Sequence, residues 1–261
     1  EKFEDLQNKI SKKTKMIFVE NPGSNTFEFQ DLTKIVRIAK KKNIVTMLDN
    51  TWGTPLYLKP LKIGFDISFS SATKYFSGHS DAMGGTLAVN KKVYKKIMFF
   101  YKLSGYRMSA DEAYLIIRGL RTLDVRLKQH YENAIKVINY LKKHRKVKEI
   151  LFPYKPKSKN YKLWKKYYSG ATSLFSIVIK SRKKSSVIKF VNSLELFGIG
   201  YSWGGFESLA ILQDLKKKTE YIKGRHFYRF GKDEHIVRLH IGLEEPKELI
   251  ADLNKALKFV K

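Results

Sequence analysis

The sequence contains no cysteine. That absence excludes a disulfide framework, a thiolate metal site and a cysteine nucleophile, and it fits a reducing compartment such as the cytoplasm. No apolar run approaches the ~18 residues that a membrane span needs. The opening residues Glu1-Lys2-Phe3-Glu4-Asp5 carry no signal-peptide hydrophobic region. Acidic residues are scarce: 24 Asp+Glu stand against 52 Lys+Arg, giving a net charge of +28 at pH 7. Such a balance is the footprint of a nucleic-acid binder. Yet 42 of the basic residues are lysine and only 10 arginine. They fall in scattered short runs, Lys40-Lys41-Lys42, Lys142-Lys143, Lys183-Lys184 and Lys216-Lys217-Lys218, and not in one stripe interleaved with aromatics. No zinc-finger, RRM or KH signature is present. The expectation is incidental, salt-sensitive polyanion binding and no specific nucleic-acid partner. What remains is ordinary: 261 residues, 43% hydrophobic, enough for one large domain or two small ones with a sizeable core.

Taken in order, Phe3, Leu6 and Ile10 lie at helical spacing within residues 2–13. Lys15–Glu20 is expected as a buried strand, and Asn21-Pro22-Gly23-Ser24 as a turn. Asp31 caps a helix that runs to about Lys42, and the apolar strand from Asn43 ends at Asp49. Strand, helix and strand make a βαβ unit with parallel pairing. Asp66–Ser70 adds a third strand and Gly85–Val89 a fourth. Residues 91–107 form a basic-aromatic helix. From Ser109, spaced with Glu112 as a capping box, one long helix is predicted to about His144. Beyond it come strands at Val147–Phe152, Ser173–Ile179, Ile199–Ser202 and Ile236–Ile241. Helices are expected at Ser185–Leu196 and from Pro246 to Val260, and Lys155–Lys159 reads as a polar loop. The expected fold class is α/β. Residues 1–108 belong to a large domain with a mainly parallel sheet, and 109–261 form a smaller α/β domain.

The chemistry concentrates at Ser70-Ser71-Ala72-Thr73-Lys74-Tyr75. A lysine leaving a buried strand is desolvated, which lowers its pKa and makes its amine a usable nucleophile. Ser71 and Thr73 are small hydroxyls able to approach a phosphate. Asp49 ends the neighbouring strand. An acid and a lysine at adjacent strand ends suit pyridoxal 5′-phosphate (PLP), with the lysine in the Schiff base and the aspartate on the pyridine nitrogen. Spacing alone leaves other readings open: a solvated loop lysine, and an aspartate acting as a helix cap. His79 has no partnered histidine or HExxH context, so neither a metal nor a catalytic role is assigned to it.

The stretch DNTWGTPLYLKPLKIGFDISFSSATKYFSGHSDAMGGT at residues 49–86 resembles the cofactor segment of the cystathionine β-lyase and γ-synthase family, PLP enzymes of sulfur amino-acid metabolism. ENPGS at 20–24, RGLRTLDVRLKQH at 118–130, YSWGGFES at 201–208 and RLHIGLE at 238–244 continue the likeness in family order across the chain. DNTW, GHSDAM and SWGGFES look like the β-lyase branch. So does Ser24, where many γ-acting relatives carry asparagine.

The resemblance implies the aminotransferase-like PLP fold (type I), partial in its large domain, and β-elimination from cystathionine to homocysteine, pyruvate and ammonia. Sibling γ-synthase, γ-lyase or cysteine-type C–S lyase activities stay open. It implies Lys74, Asp49, Ser71 and Thr73 at the cofactor. It implies Arg238 at the carboxylate of a small amino-acid substrate, and Ser202 and Trp203 lining the substrate site. On residue type alone, Arg238 could equally be an edge residue and Ser202–Gly205 a tight core turn. A homo-oligomer, a dimer of dimers, is implied too. Finally, the family's phosphate loop and ring-stacking tyrosine precede the position of Glu1. Residues 1–261 alone are therefore expected to bind PLP weakly and not to cleave cystathionine.

Overall fold

The computed structural model describes residues 3–153, 156, 158–214 and 230–261. The lysines at 216–218, Lys2, and two positions of the polar loop expected at 155–159 lie outside the described residues. The elements in order are α1 (Phe3–Lys9), β1 (Met16–Glu20), α2 (Leu32–Lys41), β2 (Val45–Asp49), α3 (Thr54–Tyr57), α4 (Pro60–Ile63), β3 (Ile67–Ser71), β4 (Gly85–Val89), α5 (Lys91–Ser104) and α6 (Ala110–Leu120). They continue with α7 (Leu123–Leu141), β5 (Val147–Leu151), α8 (Lys159–Tyr167), β6 (Leu174–Lys180), α9 (Lys184–Asn192), β7 (Gly198–Ile199), β8 (Leu209–Gln213), β9 (Glu234–His240) and α10 (Pro246–Leu257). Among the described residues, no helix is long and apolar enough to cross a membrane.

Two sheets carry the fold. The first has the order β1-β2-β3-β4. Its first three strands are parallel, and Glu20 pairs with Asp49, and Asp49 with Phe69, at their carboxyl ends. The crossover helix α2 starts where Asp31 accepts the Lys34 N–H at 3.2 Å, as expected for an N-cap. Leu32, Ile35, Val36 and Ala39 form its buried face. β1 alternates instead of being buried throughout. Ile17 and Val19 face the core, while Met16 and Phe18 are exposed, because it is an edge strand with one covered face. β4 runs antiparallel to β3. The short connection 72–84 folds back on itself, with the Ala72 N–H on the Gly84 carbonyl at 2.8 Å, and holds no crossover helix.

The second sheet, β5-β6-β9-β8-β7, is antiparallel except at β7-β8. A single apolar cluster joins both sheets, from Val19, Leu48 and Trp52 to Phe175, Ile177 and Leu239. Trp52 locks the junction. Its indole N–H donates to the Leu174 carbonyl at 3.1 Å, and its ring meets Phe29 and Tyr168 edge-on at 5.9 and 5.6 Å. Burying a large aromatic of this kind contributes roughly 1.5–3 kcal/mol.

The long helix expected from 109 to 144 is two helices. Ser109 caps α6 through the Glu112 N–H at 3.1 Å, but the chain breaks at Arg121-Thr122. The reason is a close approach. Gly119 passes so near the 76–77 backbone that a Cβ there would overlap the Phe76 and Ser77 carbonyl oxygens. Arg126 then reaches back from α7 to the Gly119 carbonyl at 2.7 Å and to Thr122 Oγ1 at 3.0 Å. Gly119→Ala is expected to cost about 1–3 kcal/mol by overpacking. Urea unfolding checks it: a midpoint equal to that of the unmodified chain would mean that α6 can move away at no cost.

Candidate active site

Lys74 sits on the turn that follows β3, two residues after buried Ala72. The turn is closed by the Lys74 N–H on the Ser71 carbonyl at 3.2 Å and the Gly78 N–H on the Lys74 carbonyl at 2.9 Å. Buried Arg126 staples it from α7, donating to the Tyr75 carbonyl at 2.9 Å and the Phe76 carbonyl at 3.4 Å. The lysine Nζ donates to Ser202 Oγ at 2.9 Å and lies 5.6 Å from the Trp203 ring. Among the described residues no carboxylate pairs with it. Burial lowers its pKa, and the nearby Arg238 guanidinium lowers it further. An amine that is half out of water and beside another cation releases its proton more readily than an ordinary lysine.

A cleft of about 120 Å³ opens at this amine. Lys74, Asp49, Ser71 and Trp203 line it together with Glu20, Pro22, Ser24, Thr51, Trp52 and Leu174. It lies at the carboxyl ends of β1, β2 and β3, where the strands of an open α/β sheet present their ligand crevice. Asp49 Oδ1 accepts from the Thr51 N–H at 2.9 Å and from Thr51 Oγ1–H at 2.5 Å. Thr51 Oγ1 in turn accepts the Ser71 N–H at 2.9 Å, so the ends of β2 and β3 are tied through one hydroxyl.

Thr73 and Ser202 are not among the residues that line the cleft. Thr73 Oγ1 accepts the Gly84 N–H at 2.9 Å and faces the Gly84 carbonyl at 3.3 Å, so its hydroxyl closes the 72–84 loop. Ser202 stands exposed at the rim of the cleft. Arg238 is buried on β9. It donates to the Ser24 carbonyl at 3.3 Å and to the Tyr201 carbonyl, and its guanidinium lies 5.3 Å from the Tyr201 ring. His79 is exposed, with Nδ1 2.7 Å from the Ser77 carbonyl.

Sequence reasoning passed over the layer behind the lysine. Tyr75, His130, Ser173 and His240 are all buried. The Tyr75 ring packs against Trp203 at 5.4 Å, His130 at 5.6 Å and His240 at 6.1 Å. Thr51 and Trp52 were present within DNTW, but nothing about their spacing marked them as cleft residues.

Over residues 1–258 the chain matches the family described as Cys/Met metabolism PLP-dependent enzymes. The chain belongs to that family. It is 37% identical over 255 residues to an L-alanine/L-glutamate racemase of Wolbachia pipientis wMel, covering 97% of this chain and 62% of that protein. It is 38% identical over 253 residues to cystathionine β-lyase MetC of Escherichia coli K12, covering 96% and 63%. A crystal structure of cystathionine γ-lyase from Lactobacillus plantarum, complexed with L-serine, superposes with a TM-score of 0.88 at 28% identity, over 99% of this chain and 68% of that one. The chain thus spans about three-fifths of the length of these curated relatives.

The residues present fit the cofactor of a PLP-dependent family member. The cleft offers a depressed-pKa amine for an aldehyde, a strand-end carboxylate for a ring nitrogen and an indole for a flat face.

The buried imidazoles give a stability prediction. Burial first, with the Arg126 charge adding to it, pushes the His130 pKa down from 6.5 to about 4; burial and the neighbouring His130 push His240 down to about 3. Both are neutral in the folded state, so below pH 6.5 the unfolded chain binds more protons. Folding stability should be flat above pH 6.5 and fall as pH drops toward 4 and 3, by up to about 1.4 kcal/mol per pH unit for each histidine. Urea midpoints between pH 7.5 and 5, before most carboxylates titrate, test this; a flat profile would mean that the imidazoles are hydrated.

Proposed function

We propose that this chain carries the lysine-bearing part of a PLP-dependent carbon–sulfur lyase. The proposed reaction cleaves L-cystathionine by β-elimination to homocysteine, pyruvate and ammonia, in the cytoplasm and in a homo-oligomer. The observation that carries the proposal is the Lys74 amine, half-buried beside Arg238 in a cleft that Asp49 shares. The β-lyase choice is supported by Ser24 and the SWGGFES segment, and by the cystathionine β-lyase relatives. In the same reading the large domain ends at residue 108.

Lys74 would hold the cofactor through Nζ, Asp49 would face its ring nitrogen, and Ser71 would offer a hydroxyl to its phosphate. Thr73 shapes the loop beside it. When bound, PLP supplies an aldehyde and a ring that accepts electrons from the substrate. With its amine free, Lys74 Nζ would be the group that takes the proton from the substrate α-carbon. Its pKa, lowered by burial and by the Arg238 charge, favours that task. Ser202 Oγ accepts from Nζ and orients it. Asp49 keeps a proton on the ring nitrogen. Arg238 receives the substrate α-carboxylate on N–H groups beyond the two that already serve backbone carbonyls. Trp203 limits the access of water to the amine.

Borohydride reduction of the whole protein loaded with PLP should label the peptide containing Lys74, and a label on another lysine would end the assignment. Incubation with cystathionine should release pyruvate and homocysteine. Release of 2-oxobutyrate and cysteine would mean γ-cleavage, and D-amino acid without pyruvate would mean racemisation, the activity named for the Wolbachia relative. Arg238→Met should lower kcat/KM for cystathionine by about 2–4 kcal/mol in transition-state binding. The loss should be far smaller for an amine lacking the α-carboxylate; equal losses would make Arg238 a structural residue.

A further inference from the structure

The segment that faces Lys74 is fastened to β9 at two points. Arg238 donates to the Tyr201 carbonyl. Two residues along the strand, and therefore on the same face, His240 Nε2 lies 3.1 Å from the Gly204 N–H and 3.0 Å from the Gly205 carbonyl. Ser202 and Trp203 are the two residues between these fastenings whose side chains reach the lysine. Gly204 has φ +89°, and a Cβ there would lie 2.7 Å from Tyr75 N and 2.8 Å from the Lys74 carbonyl carbon. The loop backbone therefore rests directly on the backbone that carries the amine.

The hydrogen-bond chemistry at His240 is specific to an imidazole. The Gly204 N–H can only donate and the Gly205 carbonyl can only accept, and both meet the same ring nitrogen. One neutral tautomer accepts from Gly204; the other donates to Gly205. On the far side of the ring, Nδ1 lies 3.2 Å from Ser173 Oγ, a hydroxyl that can serve either tautomer. Ser173 is itself fixed, its N–H donating to Tyr75 Oη at 3.2 Å. Either neutral form thus keeps one bond to the loop and one to the core. His130, 5.2 Å away ring to ring, is held differently: its Nδ1 lies 2.8 Å from the Ile241 carbonyl and 3.4 Å from Ser173 Oγ, its Nε2 has no hydrogen-bond partner among the described residues, and neither nitrogen bonds to the loop.

We propose that His240 is a positioning residue that clamps Ser202 and Trp203 against the Lys74 amine. The inference rests on Lys74 being the reactive amine of the site. Without the clamp, residues 202–205 would relax from the lysine, water would reach Nζ, and the amine would recover the basicity of an ordinary lysine. Competitive acetylation of the chain with acetic anhydride across pH, with the Lys74 peptide quantified by mass spectrometry, reads that basicity directly and needs neither cofactor nor substrate. His240→Phe keeps the ring volume and removes both hydrogen bonds. It should move the Lys74 midpoint upward by roughly half a pH unit or more, since desolvation is the main cause of the depression. His240→Gln, whose amide both accepts and donates, should restore most of it. His130→Phe, equally buried but not bonded to the loop, should leave it unchanged. If His240→Phe does not fold, His240→Asn carries the test, because its shorter amide keeps a polar group in place without reaching Gly204. An unshifted midpoint in the disruptive variant overturns the proposal. So does an equal shift in His130→Phe, which would indicate general loosening. Failure of the whole protein to cleave cystathionine would refute the proposed reaction and leave this result standing.

Discussion

The backbone of Gly204 lies on the backbone of Lys74, and most of the site follows from that contact. Gly204 belongs to the connection between β7 and β8 of the second sheet; Lys74 belongs to the turn after β3 of the first. Only a residue without a Cβ permits the approach, since a side-chain carbon at Gly204 would stand 2.7–3.0 Å from main-chain atoms of residues 74 and 75. Bringing the two backbones together places a serine and an indole over an amine. It also draws the amine toward Arg238, which the antiparallel pairing of β9 with β6 and β8 holds in register. The apolar cluster shared by both sheets supplies the rigidity against which this contact can be kept.

Two cations set close together are unfavourable unless something offsets them. Burial first, and the Arg238 charge second, lower the Lys74 pKa. Arg238 cannot respond in that way, because a guanidinium stays charged in proteins, and it leans instead on the Ser24 and Tyr201 carbonyls and the Tyr201 ring. Glu20, which lines the cleft with Asp49 and Lys74, also favours the Arg238 charge. The ion pairs at Lys128–Asp124 and Lys255–Glu195 are largely exposed, and pairs of that kind contribute little. The high net charge, carried largely on exposed side chains of this kind, therefore says little about function.

Local signals in the sequence were sufficient for several elements. The caps at Asp31 and Ser109, Pro246 at a helix start, the βαβ unit and the strand-end placement of Asp49 and Lys74 all depend on residues within a few positions of one another. Several of the errors arise where distant residues decide. The break between α6 and α7 is imposed by the 76–77 backbone pressing on Gly119. β8 was not foreseen, and Leu209-Ala210-Ile211-Leu212-Gln213 becomes a strand by pairing with β9. α8, also unforeseen, has no fully buried residue. It is fixed by side-chain bonds such as the Trp164 indole N–H on the Gly170 carbonyl at 2.8 Å. His240 was visible within RLHIG, but its value comes from Gly204 and Gly205, more than thirty positions earlier.

The same reasoning separates what the family shares from what distinguishes its members. In the proposed reading Lys74, Asp49 and Arg238 serve removal of the α-proton, a step common to elimination at the β-carbon, elimination at the γ-carbon and racemisation. Reaction choice therefore has to come from the walls that decide which bond of the substrate is aligned for cleavage and which proton can be reached next. In the proposed reading of this chain those walls are Ser24 at one side and Ser202-Trp203 at the other. Arg238 of β9 is tied to both, and His240 to the second alone. Arg238 holds the Ser24 carbonyl and the Tyr201 carbonyl, while His240 holds Gly204 and Gly205. The group proposed to grip the substrate and the group proposed to set the wall thus stand two residues apart on one face of one strand, so a change in the pitch of β9 would alter both together.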